Sequence, residues 1–181
     1  MITFFLSLIP GAILCGIAGS IIFLGLYNKR PKEITVSIVN KSTNGEPFYE
    51  TQGASGMDIR AAAPYNLLPH GKTLVKTGLF VSIPKGYELQ VRPRSGLVLK
   101  NGITVLNTPG TIDSDYRGEI GVILYNTTDE AYVINIGERI AQIVLVPIVH
   151  ANWNVIDILD DTLRGSGAYI VTGKQIGRAH V

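Results

Sequence analysis

Five stretches of this chain carry more glycine, charge and hydroxyl than β-strands need: SGMDIRAA (Ser55 to Ala62), PRSGL (Pro93 to Leu97), LNTPGTIDSDYRGEI (Leu106 to Ile120), GERIAQIVLVP (Gly137 to Pro147) and RGSGAYIVTG (Arg164 to Gly173). The third is the richest in chemistry. A turn-forming NTPG leads into Asp113, Ser114, Asp115 and Tyr116, which puts an acid and an aromatic three residues apart at a strand-loop junction. Both could face one small-molecule site there. A carboxylate so placed can orient a water and take its proton, and without such help water is a poor nucleophile. Taken alone, an Asp-rich turn between strands is common, and each arginine could equally be half of a surface ion pair.

Other chemistries are argued against. Cys15 is the only cysteine, so there is neither a disulfide framework nor a thiolate metal cluster. His70, His150 and His180 stand singly, without an HExxH spacing. A formal charge of +2 is too small to argue for a nucleic-acid polymer as partner.

In order and spacing, the five stretches resemble the five motifs of the dUTPase family, trimeric all-β type. The resemblance covers nearly all of the chain after residue 31. It implies that Asp113 is the general base, that Tyr116 packs on the deoxyribose and leaves no room for a 2′-hydroxyl, and that Asn107 and the backbone at Gly110 read the uracil edge. It further implies that Arg94, Ser95, Gly96, Gln142 and Arg164 bind the phosphates, that Tyr169 stacks over the uracil, and that Asp58 supports Mg²⁺ through water. The implied reaction is Mg²⁺-dependent attack of water on the α-phosphorus of dUTP, giving dUMP and pyrophosphate. A homotrimer with sites shared between subunits is implied as well.

The fifth stretch departs from the family arm RGxGGFGSTG. Ala168, Ile170 and Val171 stand at unmatched positions, and Tyr169 replaces a phenylalanine. A β-branched residue cannot cheaply adopt the positive φ that glycine allows, so a catalytically impaired, membrane-tethered homologue that binds dUTP as a sensor is the alternative reading. A third reading, dCTP deaminase, needs a glutamate in the strand after the PGxxG turn, and Ile123 occupies that position.

These residues must be held by a scaffold, and the pattern from Ile34 onward is one of short runs rich in Val, Ile and Thr. ITVSIV, TLVKTGLFVSI, YELQVRP, EIGVILYN, AYVINI and RIAQIVLVPIV read as strands, separated by turn signals at Thr43, Pro69, Pro84 and Asn135. Ser95 offers a cap for one short helix, SGLVLKN. The fold class expected is all-β, a jelly-roll-like barrel or sandwich preceded by one N-terminal transmembrane helix.

That helix is read from the front of the chain, where no charged residue occurs from Ile2 to Asn28 and all 16 Lys and Arg and 14 Asp and Glu follow. The stretch is long enough to cross a hydrocarbon core of roughly 30 Å. Lys29, Arg30 and Lys32 would keep their flank and the catalytic domain in the cytoplasm, with the N-terminus outside. If the segment is instead a gene-call artefact, the protein is expected to be soluble and cytoplasmic. The next methionine is Met57, inside the β domain, so a later start needs a non-ATG codon. The expected organisation is an anchor with its basic flank at 1–31, a β domain at 32–163 and a C-terminal arm at 164–174. The last residues, 175–181 (QIGRAHV), read as a translated sequencing adapter and are expected to be non-native.

Overall fold

The computed structural model describes residues 33–166, which form eleven strands and one short helix. The chain divides into a unit ending at Ile148 and a second beginning at Val149. In the second unit the described residues, 149–166, are exposed and contain neither helix nor strand; a turn closes with the Gly165 amide donating to Thr162 O. The expected anchor at residues 2–28 and the tail at 175–181 lie outside the described residues. Among the described residues no helix is long and apolar enough to cross a membrane.

The first unit is built from four sheets. The largest has the order β2 (Met57–Arg60), β11 (Arg139–Pro147), β6 (Tyr87–Arg92) and β8 (Gly110–Ile112). A second joins β4 (Lys72–Lys76), β9 (Gly121–Asn126) and β7 (Ile103–Val105). Two antiparallel pairs complete it: β1 (Ser37–Asn40) with β5 (Leu79–Ser82), and β3 (Tyr65–Leu67) with β10 (Tyr132–Ile134). All-β architecture is therefore found as expected.

Side-chain alternation along each strand explains where the core lies. On β6, Leu89 and Val91 are buried while Glu88, Gln90 and Arg92 occupy the other face. On β9, Val122 and Leu124 enter the same apolar cluster as Ile103 of neighbouring β7 and as Ile59, Leu67, Ile134 and Ile143 from the other sheets. Asn126 is also fully buried, and its side chain is satisfied: Nδ2 donates to Glu130 O at 2.7 Å, and Oδ1 accepts from the Thr128 amide at 2.9 Å. That is the usual condition for burying an amide.

Two local expectations are corrected. The run TLVKTGLFVSI is not one strand but two, β4 and β5, in different sheets. The chain breaks at Thr77 and Gly78, where buried Thr77 Oγ1 donates to Ile120 O at 2.6 Å and the Gly78 amide donates to Glu119 Oε1 at 2.9 Å. The helix α1 (Ser95–Asn101) begins with Ser95 already helical; Arg94 is in the capping position and makes no side-chain cap bond, because a guanidinium has only donors and cannot accept from the helix N–H groups. Strands β2, β3, β7 and β8, each three or four residues long, were too short to be read from periodicity.

The turn between β10 and β11 is held by Glu138, whose carboxylate accepts the Asn135 amide at 2.9 Å and the Tyr132 hydroxyl. Burial first, and then the Glu138 hydrogen bond and charge, push the Tyr132 phenol up to about 12 from 10.0. A raised acid pKa favours the neutral form, so this stabilisation is complete below pH 10 and is lost as pH rises toward 12. The Tyr132→Phe protein is expected to be less stable at pH 7 by about 1 kcal/mol and to lose this part of the alkaline dependence. Urea unfolding of both proteins at several pH values checks this; equal stabilities at pH 7 would count against it.

Candidate active site

Strand pairing brings Asp58, Gln142 and Arg92 into one row. Gln142 on β11 is opposite Asp58 on β2 and opposite Arg92 on β6, so all three share the face of the sheet turned away from the core. Gln142 Nε2 donates to Pro93 O at 3.0 Å, tying β11 to the PRSG loop. Its other amide atom lies over Gly56, where a Cβ would sit 2.5 Å from Gln142 Oε1. A side chain at residue 56 would displace the Gln142 amide from this place.

Arg94 follows Pro93 at the exit of β6 and folds back onto the same row. Its Nε donates to Asp58 Oδ1 at 2.9 Å and its Nη1 to Arg139 O at 3.1 Å. The remaining Nη2 makes no hydrogen bond among the described residues. Ser95 and Gly96 are exposed in the first turn of α1, where backbone N–H groups have no intrahelical acceptor. Arg94, Ser95, Gly96, Gln142 and Asp58 are thus brought together.

A second cluster is built on β8 and the loop after it. Gly110 is buried against Val91 of β6, and the Asn107 side chain lies over it, with Nδ2 3.3 Å from where a Cβ would be. Asp113 emerges exposed where β8 ends, directly after buried Ile112. The loop then turns, with the Tyr116 amide donating to Asp113 O at 3.2 Å and Arg117 Nη1 donating to Ser114 O and Tyr116 O at 2.7 and 2.8 Å. The Tyr116 ring, 46% exposed, lies against Gly118, where a Cβ would overlap it, and its hydroxyl donates to Glu119 O at 3.1 Å. Asn107, Gly110, Asp113 and Tyr116 form this cluster.

The Asp113 loop and Arg94 leave opposite ends of β6, while Gly110, opposite Val91, stays near the Arg94 end. Leu89 pairs with Ile112 and Val91 with Gly110, so Asp113 comes beside Glu88 while Arg94 lies beyond the other end. At about 3.3 Å per residue the separation is on the order of 20 Å. Arg164 is exposed in the turn of the second unit, and Tyr169 lies outside the described residues.

Two residues in these clusters were not singled out by sequence. Arg117 clamps the Asp113 loop, and Arg139 Nη1 is 3.3 Å from Asp58 Oδ2. The only signal for either was a cation inside a motif, DYRG and GERIAQ.

As to metal, no group of three or more His, Cys, Asp or Glu gathers among the described residues. Asp58 is the acid in the row of Gln142 and Arg92, and each of its oxygens already faces a guanidinium. An ionised carboxylate keeps further acceptor capacity, so this donor set fits a hydrated Mg²⁺ held mainly by a ligand and touched by Asp58 through water, and does not fit an all-protein cage.

A family model for dUTPase matches residues 43–173. The chain belongs to the dUTPase family. Among curated proteins it is 48% identical to the deoxyuridine 5′-triphosphate nucleotidohydrolase of Ehrlichia canis, across 80% of this chain and 99% of that one. It is 55% identical to the protein of the same name from Roseobacter denitrificans, across 70% and 86%. Among solved structures it resembles a mutant dUTPase of Staphylococcus bacteriophage 80alpha with dUpNHpp, at TM-score 0.69 and 26% identity across 76% of this chain and 97% of that one. A mutant dUTPase of phage phi11, described with a structural Mg(II) ion, matches at TM-score 0.64 and 26% identity across 69% and 98%. In this dUTPase-family chain Ile123 lies in β9 opposite Leu74.

Proposed function

We propose that the chain hydrolyses dUTP, as its relatives' names say of them, that the products are dUMP and pyrophosphate, and that it works as a homotrimer. The observation that carries the reading is the pair of clusters: a carboxylate and an aromatic on one loop, and a fixed arginine with a glutamine and a helix start on another. Asp113 takes a proton from water as the water oxygen bonds to the α-phosphorus; the bond to the oxygen bridging to the β-phosphorus breaks, and pyrophosphate leaves with that oxygen. Arg94, Gln142 and the Ser95–Gly96 backbone hold the phosphates, where guanidinium geometry suits a spreading negative charge. Arg164 and Tyr169 are assigned to phosphate and uracil by resemblance. Mg²⁺, when bound, offsets phosphate charge, with Asp58 touching its water.

Asp113 and Arg94, on the order of 20 Å apart along one strand, cannot grip one nucleotide's α-phosphate together. A site that combines the Asp113 loop of one subunit with the Arg94 row of another removes the difficulty, which supports the shared-site trimer.

The test is pyrophosphate release by the full chain with dUTP, dCTP, dTTP and UTP in the presence of Mg²⁺. Selective dUTP turnover is expected. Binding of dUTP without turnover would favour the sensor reading instead, and turnover of dCTP would overturn both.

Sugar selection is assigned by resemblance to Tyr116, and the reading is supported by a side chain held against Gly118 with its hydroxyl donating to the Glu119 carbonyl. Discrimination against an added hydroxyl comes from a wall that leaves no room for it. The Tyr116→Ala protein is expected to narrow the preference for dUTP over UTP in kcat/KM by about 10- to 100-fold. Unchanged preference would remove this role.

A further inference from the structure

Strict alternation along β11 would put Arg139 on the same face as Ala141 and Ile143, which is the core face. It is not there. The pairing of β11 with β2 slips between Arg139 and Ala141, so that Ile140 and Ala141 are both buried in succession, and Arg139 emerges beside Asp58 with its side chain 43% exposed. A bulge of this kind re-aims a side chain. What it is aimed at is the question.

Residue 139 touches the phosphate-side row twice. Its carbonyl accepts Arg94 Nη1 at 3.1 Å, and its own Nη1 is 3.3 Å from Asp58 Oδ2. Asp58 Oδ1 in turn accepts Arg94 Nε at 2.9 Å. Asp58 is therefore held at both oxygens, one by the arginine assigned to phosphate and one by Arg139. With its outer oxygen released, the carboxylate could rotate about its Cβ–Cγ bond, and the Arg94 fork would lose a fixed acceptor. Charge points the same way. Glu50 lies 3.8 Å from Arg139, so Glu50, Asp58, Arg94 and Arg139 together are formally neutral. Without Arg139, Arg94 would be left as the one cation paired with Asp58 among the described residues, and its fork would be drawn further toward that carboxylate.

From this we infer that Arg139 is a positioning residue for the phosphate site: it acts through Asp58 to fix the direction of Arg94, and it does not itself hold the substrate. The inference rests on the proposed dUTP reading. It explains why a bulge sits at the start of the strand that carries Gln142, since the bulge releases Arg139 from the core while Gln142, three residues on, stays in its row.

The test is a double-mutant cycle in the full chain, with Arg139→Gln, Arg94→Gln and the pair, read by calorimetry as affinity for α,β-imido-dUTP with Mg²⁺ and in parallel as kcat and KM for dUTP. Arg139→Gln is expected to weaken binding about tenfold and Arg94→Gln about a hundredfold, from loss of charged hydrogen bonds. The double variant is expected to bind no more weakly than Arg94→Gln alone, because partners acting through one contact are not additive. Arg139→Lys, which keeps the charge, should recover part of the loss. Thermal midpoints report folding; if Arg139→Gln does not fold, Arg139→Lys takes its place in the cycle. Additive losses, or wild-type affinity in Arg139→Gln, would overturn the inference. A wild-type chain that binds the analogue but leaves dUTP intact would overturn hydrolysis and leave the cycle readable, and one that binds no triphosphate would overturn both.

Discussion

The Asp113→Asn protein is expected to bind dUTP and to turn it over about 10²- to 10⁴-fold more slowly than the wild-type chain, the range by which a positioned general base accelerates a proton transfer. The substitution keeps the size and shape of the side chain. It also leaves the scaffold alone, because Asp113 is exposed just past the end of β8, and the strand is anchored by buried Ile112 and by pairing of Gly110 with Val91. The loop is closed by backbone and Arg117 bonds that do not use the Asp113 carboxylate. Turnover in single-cycle experiments and affinity for α,β-imido-dUTP separate the two effects. Turnover within tenfold of wild type would remove Asp113 from the role of base. Loss of affinity together with turnover would show that the carboxylate holds the substrate or the loop instead.

Much of this site was legible in the chain. Asp113 and Tyr116 stand in a turn-rich interruption between hydrophobic runs, and the β11 run RIAQIVLVP is long enough to announce a strand around Gln142. What could not be read is what depends on partners distant in sequence. Thr77 looks like any strand threonine until Ile120, far along the chain, supplies its acceptor, and the long run around it then splits into β4 and β5. Ser95 looked like a cap, but the capping position falls to Arg94, which has no acceptor to offer the helix and donates to Asp58. Arg139 sits where alternation predicts a core residue, and only the slipped pairing with β2 explains how a charge is tolerated there. Motif order nominated the residues of the candidate site; strand register told which of them one chain can bring together.

That last distinction yields the other large effect expected, which is recovery of activity from two inactive proteins. The Asp113→Asn chain retains its Arg94 row, and the Arg94→Gln chain retains its Asp113 loop, and each alone should be severely impaired. Because β6 and β8 run antiparallel with Val91 opposite Gly110, the two groups leave opposite ends of the paired strands, and a single subunit cannot close them on one α-phosphate. If each site joins the loop of one subunit to the row of the next around a closed ring, a mixed assembly contains sites in which both contributions are intact. With equal amounts and random assembly, about a quarter of the sites should be of that kind, and activity should follow the product of the two fractions as the ratio is varied. The measurement is dUTP turnover after co-expression of the two full-length variants, with differently tagged subunits co-purified to establish that exchange has occurred. No recovery in assemblies shown to be mixed would place the whole site within one chain, and would require the Asp113 loop to move away from the position that its pairing with β6 gives it.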